Sequence, residues 1–127
     1  CTGNSARSQM AEGFAKASGM QAQSAGLEPS RIHPLAIRVM AEKGIDIARQ
    51  TSKPLSDELI QDARFVITLC GDAAERCPIL PPTLRVIHWP LPDPARASGS
   101  ETEILQAFRD VRDQIEALLR QFLQERA

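Results

Sequence analysis

The first eight residues, Cys1-Thr2-Gly3-Asn4-Ser5-Ala6-Arg7-Ser8, have the types and spacing of a thiolate set in an oxyanion cradle. The pattern is C-x5-R-S. Small residues from Thr2 to Ala6 let the backbone curl so that successive N–H groups point inward as an anion nest. Gly3 and Asn4 suit the positive φ angles of such a curl. A helix opening directly behind the loop adds about half a positive charge at the same point. Arg7 closes the ring with a planar fork that grips two oxyanion oxygens at once. Among these positive ends the Cys1 thiol is acidified and nucleophilic, and Ser8 can donate a hydroxyl hydrogen bond to it. The plainer alternative is a Gly/Ser loop that only caps a helix, with Cys1 incidental. The small-residue filling and the helix behind it favour the cradle.

Such a loop needs a frame. Ser8 to about Ala17 reads as a helix, with Met10, Ala11, Phe14 and Ala15 at helical spacing. A turn of this kind normally follows a buried strand, so a short apolar strand ahead of Cys1, absent from the numbered chain, is expected. Met20 to Gly26 is a second strand candidate. Pro34 suits a first helical position, and Leu35, Val39 and Met40 form a stripe that ends before Gly44. Ser56 suits the cap of a short helix over Asp57 to Ala63. Phe65 to Leu69 and Leu84 to Trp89 are apolar, β-branched runs typical of buried strands. Ser100 and Glu103 form a capping box, after which Ile104, Phe108, Val111, Ile115, Leu118, Phe122 and Leu123 make one apolar face. The Arg and Glu residues of this last helix read mostly as its solvated side. Strands alternating with helices predict an α/β fold, a single three-layer α/β/α domain over 1–127. Its sheet would be parallel and four-stranded, flavodoxin-like, once the first strand is restored.

Composition narrows the function classes. The 127 residues are 43% apolar and 24% charged, as in a soluble globular domain. Fifteen basic and sixteen acidic residues leave a net charge of −1, which argues against a nucleic-acid footprint or an anionic membrane surface. No apolar run approaches the ~20 residues that span a bilayer. With four Phe, one Trp and no Tyr, the core is expected to rest on Leu, Ile, Val and Ala. Three cysteines are too few, and odd in number, for a secreted disulfide framework, which suits a cytoplasmic location. Three buried structural thiols would be the ordinary reading if their neighbours were unremarkable. No His/Cys cluster has zinc-like spacing. His33, before Pro34, reads as a loop or helix-start residue, and His88 beside Trp89 as packed or exposed.

The segment CTGNSARSQMAEGF resembles the phosphate-binding loop and first helix of the low-molecular-weight protein tyrosine phosphatase fold. Within that fold the chain is most similar to the thioredoxin-coupled arsenate reductases. The resemblance runs on through SAGLEP, EKGIDIARQTS, VITLCGDAAERCPILPP, HWPLPDPARASGS and FRDVRDQIEALL. The run around Cys70 and Cys77 is its most specific part, because phosphatases of this fold lack that cysteine pair. One departure is Ala6, where members commonly carry a second loop cysteine. The resemblance implies that Cys1 attacks arsenate held by the loop amides and Arg7. Asp93, in Asp93-Pro94-Ala95-Arg96, would protonate the leaving oxygen. Cys70 would then attack the Cys1–arsenic adduct, releasing arsenite and forming a Cys1–Cys70 disulfide. Cys77 would close a Cys70–Cys77 disulfide for thioredoxin to reduce.

The residues themselves fit this scheme in part. Cys70 follows a predicted strand, and ligand sites of open α/β sheets lie at the carboxyl ends of strands. Asp93 falls on the same edge, where its type and place serve equally as an acid or as a turn residue before Pro. Seven residues of helix would hold Cys70 and Cys77 about 10 Å apart along its axis. A disulfide needs Cα atoms about 4.4–6.8 Å apart, so any such helix must unwind, which suits Gly71 and Pro78 at its ends. Some members of the resembled family hold potassium through residues matching Asn4, Glu12 and an Asp after a Thr-Ser pair. Here Lys53 follows Thr51-Ser52, which predicts a Glu12–Lys53 pair bracing Asn4 and the loop, with no potassium and no other cofactor. The alternative is a Lys53 directed at solvent. The expected protein is a monomer with arsenate as substrate and thioredoxin as partner. A low-molecular-weight phosphatase using only Cys1, Arg7 and Asp93 is the second hypothesis. A non-catalytic oxyanion-binding or redox-sensing module is the third.

Overall fold

The computed structural model describes residues 5–27, 29–70 and 85–126. Helix α1 spans Arg7–Ala17, α2 Pro34–Ala41 and α3 Asp57–Asp62; strand β1 spans Val66–Cys70 and β2 Val86–Leu91. A 3-10 turn at Pro94–Arg96 precedes α4, Glu101–Arg126. The local signals explain most of these bounds. Pro34 opens α2 with a fixed φ and no wasted donor. Gly44, at φ +75°, supplies the left-handed residue shortly after α2 ends. Ser56 Oγ accepts the Leu59 N–H at 3.3 Å and starts α3. The capping box forms: Glu103 N–H donates to Ser100 Oγ at 3.2 Å, and Ser100 N–H to Glu103 Oε1 at 3.3 Å.

Strands β1 and β2 pair in parallel, with Val66 opposite Val86, Ile67 opposite Ile87 and Thr68 opposite His88. The register then shifts, and Cys70 faces Leu91. The extra residue falls on β2, where Pro90 has no N–H to give the ladder, so a bulge there is the natural outcome. Two of the four expected strands are thus present among the described residues. Met20 to Gly26 is not one of them: it is extended chain with a single bridge, Gly26 to Pro54. Its Ser24 N–H donates instead to the Glu12 carboxylate at 2.7 Å, so a donor that a ladder would need is already committed.

Helix α4 packs on α1 and α2. Phe108 and Ile115 on α4, Met10 on α1, and Val39 and Met40 on α2 are fully buried, with Ile47 beside them. Phe122 carries α4 onto the sheet, edge-on to Phe65 at 5.3 Å and to Trp89 at 6.2 Å. The core rests mostly on Leu, Ile, Val and Ala, as expected, with the few aromatics added to it. Phe14, Phe108 and Phe122 are buried and Phe65 is packed against them, because a scarce aromatic covers more apolar area per side chain than any aliphatic residue.

Arg112 departs from expectation, since it lies buried on the face of α4 expected to be solvated. Its Nη1 donates to the Val39 carbonyl at 3.0 Å and to Glu42 Oε1 at 2.7 Å. It thereby closes the carboxyl end of α2, where free carbonyls favour a cation. Arg109 grips the same Glu42 through Nε and Nη2. Hydrogen bonds from Arg109, then from Arg112, hold the Glu42 carboxyl down at about 2.

Helix α1 approaches residues 45–47 closely because Gly13 faces them. A Cβ at position 13 would lie 2.6 Å from Ile47 Cγ2 and 3.2 Å from Met40 Cε. Gly13→Ala should therefore destabilise the protein by about 1–3 kcal/mol through overpacking. Helix propensity alone would stabilise it by about 1 kcal/mol. Urea midpoints of the two proteins decide the sign, and an alanine variant at least as stable as the parent would contradict this packing.

Candidate active site

Arg7 occupies the first position of α1 and is only 2% exposed. Its Nη1 donates to the Leu69 carbonyl at 3.0 Å and to the Leu91 carbonyl at 2.8 Å. Both acceptors sit at the carboxyl ends of the parallel strands. Nη2 lies 3.8 Å from Asp93 Oδ2. The strand carbonyls thus engage one corner of the guanidinium, and the Nε–Nη2 edge is the pair of donors that a bidentate oxyanion contact uses.

This anchoring gathers the candidate residues. Leu69 immediately precedes Cys70, the last residue of β1, and Leu91 stands two residues before Asp93. The other Asp93 oxygen, Oδ1, accepts the Ala95 N–H at 3.0 Å and caps the 3-10 turn. Asp93 is thus a turn residue whose second carboxylate oxygen faces Arg7. Ser8 is buried beside Arg7 in the first turn of α1. Ala6 takes the N-cap position and offers no side-chain oxygen to the first-turn amides. The helix also has no acidic residue in that turn, so its positive end is not neutralised locally. Ser5, the first described residue of the loop, accepts the His33 main-chain N–H at 2.9 Å. Cys1, Thr2, Gly3, Asn4 and Cys77 lie outside the described residues, as do Gly71 and Pro78.

Glu12 lies one turn and a half further along α1, buried at 3% side-chain exposure. Its Oε1 accepts the Ser24 N–H at 2.7 Å and the Ser24 hydroxyl at 2.8 Å. Lys53 Nζ stands 3.7 Å from the same oxygen, and its side chain is half-buried rather than directed at solvent. Lys16 Nζ is closer, 2.7 Å from Oε2. Burial raises the Glu12 carboxyl most strongly. The Lys16 and Ser24 hydrogen bonds and the Lys53 charge outweigh it, so the group is held below its ordinary range.

Sequence reasoning missed Lys16 and Ser24 in this cluster. Lys16 was legible, since it stands four residues after Glu12 on one helix. Ser24 was not, because its contact spans twelve residues with no periodic signal. Gln9 was also missed. Fully buried, it donates through Nε2 to the Thr51 carbonyl at 3.0 Å and receives Gln50 Nε2 on its Oε1 at 2.8 Å. That pair ties α1 to the segment that carries Lys53.

Against known families, residues 1–127 match the low molecular weight phosphotyrosine protein phosphatases. The chain is 47% identical over 125 residues to an arsenate reductase of Bacillus subtilis (strain 168), covering 96% of this chain and 90% of that protein. A solved structure of an arsenate reductase in the phosphate binding state superposes with a TM-score of 0.80 at 42% identity, covering 98% of this chain and 93% of that one. A thioredoxin-dependent arsenate reductase of Corynebacterium glutamicum gives a TM-score of 0.69 at 28% identity, covering 98% of this chain and 60% of that one.

The geometry makes Arg7 an anchor of the strand ends, and the oxyanion role expected of it would draw on the same guanidinium. Arg7→Lys keeps the charge but cannot serve both sides. Affinity for sulfate, followed by titration calorimetry, should fall about ten- to a hundredfold, the weight of one or two charge-assisted hydrogen bonds. An unchanged affinity in the lysine variant would remove Arg7 from the oxyanion site.

Proposed function

Because the chain belongs to the low molecular weight phosphotyrosine protein phosphatase family, we propose that it reduces arsenate to arsenite through a cysteine relay that thioredoxin recharges. The observation that carries the reading is the Arg7 guanidinium, bonded to the carbonyl preceding Cys70 and 3.8 Å from Asp93. It is joined by 47% identity to an arsenate reductase over nearly the whole chain.

In this reading the Cys1 thiolate forms a sulfur–arsenic bond with arsenate while one oxygen leaves as water, protonated by Asp93. The Cys70 thiolate then attacks the Cys1 sulfur. The sulfur–arsenic bond breaks, its electron pair stays on arsenic, and arsenite departs, leaving a Cys1–Cys70 disulfide. Cys77 attacks Cys70, frees the Cys1 thiolate and forms the Cys70–Cys77 disulfide. The dithiol of thioredoxin supplies the two electrons that reopen it. The protein acts as a cytoplasmic monomer. Cys1, Arg7 and Asp93 alone suffice to hydrolyse an aryl phosphate, and the matched family is named for phosphatases, so weak phosphatase activity accompanies the reduction.

Two measurements test the relay. Cys77→Ser should perform one turnover of arsenate and accumulate a Cys1–Cys70 disulfide, visible by peptide mapping. Cys70→Ser should lose arsenate reduction with thioredoxin, thioredoxin reductase and NADPH, yet keep slow aryl phosphate hydrolysis. Normal arsenate turnover by the Cys70 variant would end the relay model.

We also propose that the Glu12 cluster replaces a potassium ion. Two ammonium groups already stand on that carboxylate, so a further cation meets repulsion where it would need anionic oxygen ligands. Arsenate reduction in sodium and potassium buffers of equal ionic strength should proceed at the same rate. A gain in rate or melting temperature specific to potassium would sink the idea.

A further inference from the structure

His33 connects three parts of the molecule around the loop. Its ring Nδ1 accepts the Leu35 N–H at 3.1 Å, so the side chain caps α2. Its main-chain N–H donates to the Ser5 carbonyl at 2.9 Å, and Ser5 stands two residues before Arg7. Its ring also packs on Phe108 of α4, with centroids 4.7 Å apart. Since Phe108 is fully buried, the ring rests on a fixed wall.

The cap depends on protonation. A neutral imidazole has one acceptor nitrogen, and here it is Nδ1, which puts the ring proton on Nε2. A second proton would set an N–H against the Leu35 N–H and place a full positive charge at the positive end of α2. The cap is then lost, and with it the reason for His33 to stay where its main chain holds Ser5.

We infer that His33 is a positioning residue for the oxyanion loop: its neutral ring locks the start of α2, and through the bond to Ser5 that lock keeps Arg7 against the strand ends. This rests on the oxyanion reading of the loop. Burial pushes the ring below its ordinary range, opposed by the charge of Asp93. The other charged groups around it have their own partners among the described residues. Arg7 faces the strand carbonyls and Asp93, and Arg109 and Arg112 on α4 face Glu42. Arg38 on α2 pairs with Glu101 of α4 at 3.6 Å, and Arg31 is exposed.

The sign follows from a pKa that is lower folded than unfolded. The stability His33 contributes is complete above about pH 6.5 and is lost as the pH falls through the lower folded value. Grip on an oxyanion should weaken over the same window. Sulfate is the probe, because its charge does not change there, and calorimetry on the reduced protein reads it without any redox partner. His33→Asn keeps a capping side chain that does not titrate.

As the pH is lowered from about 7.5 until His33 protonates, followed by its ring NMR signals, the wild-type affinity should fall about fivefold more than that of His33→Asn, the factor equivalent to one lost cap. At the upper pH, His33→Asn should bind within about twofold of wild type, whereas His33→Ala should already be about fivefold weaker. In arsenate turnover the same loss should appear in KM and not in kcat. Parallel pH curves for wild type and His33→Asn would overturn the role of His33, and they stand as a test even if the alanine variant does not fold. Wild-type protein that binds no sulfate at any pH would overturn the oxyanion reading itself, and this proposal with it.

Discussion

A guanidinium buried to 2% exposure is the constraint around which this structure is arranged. An arginine out of water costs several kcal/mol unless its donors meet acceptors. Two acceptors come from the carboxyl ends of parallel strands, where the carbonyls of Leu69 and Leu91 converge at 3.0 and 2.8 Å. Antiparallel strands would bring opposite chain ends to that edge. The bulge at Pro90 matters for the same reason, because without its extra residue Leu91 would not stand opposite Cys70. Met10 and Phe14, buried one and two turns beyond Arg7, press α1 into the core and fix the helix that delivers the guanidinium.

The same anchoring fixes the neighbours of Arg7. One corner of its guanidinium is committed to the strand ends, and Nη2 stands 3.8 Å from Asp93. Asp93 divides similarly, with one oxygen on Ala95 and the other toward Arg7. Preorganisation of this kind avoids reordering long side chains at the moment of reaction.

What could be read from the residues beforehand was what depends on near neighbours. The loop spacing, Pro34 at the start of α2, the Ser100–Glu103 box and the apolar face of α4 are all signals carried within a few residues. Cys70 and Asp93 could be assigned to one edge because strand ends in a parallel sheet share it. Apart from the Glu12–Lys53 pair, which the family resemblance implied, contacts over long separations left little local signal. Arg112 looked like a surface charge because helical periodicity cannot reveal that the Val39 carbonyl awaits it 73 residues away. Met20–Gly26 looked like a strand because its composition permits one, and Glu12 claims its Ser24 donor. The loop spacing suggested an oxyanion role for the fork of Arg7 but not its hold on the strand ends, since nothing local to Arg7 records where those carbonyls will be.

Helix α1 therefore carries two electrostatic arrangements of opposite kind within two turns. At Glu12 a buried carboxylate is saturated: a serine supplies two hydrogen bonds, and two lysines supply charge from either side. Removing any one member leaves others in place, so the cluster suits fixing α1 to the chain around Ser24 and Lys53. At the amino end the cation is shared: the helix has no acidic residue in its first turn, and the guanidinium meets two carbonyls that carry no net charge and the Asp93 carboxylate at 3.8 Å. A neutral acceptor holds an arginine in place without cancelling its field, which a carboxylate in the same position would do. Main-chain carbonyls at both strand ends thus anchor the buried cation, while the Asp93 carboxylate near it stands further off, at 3.8 Å.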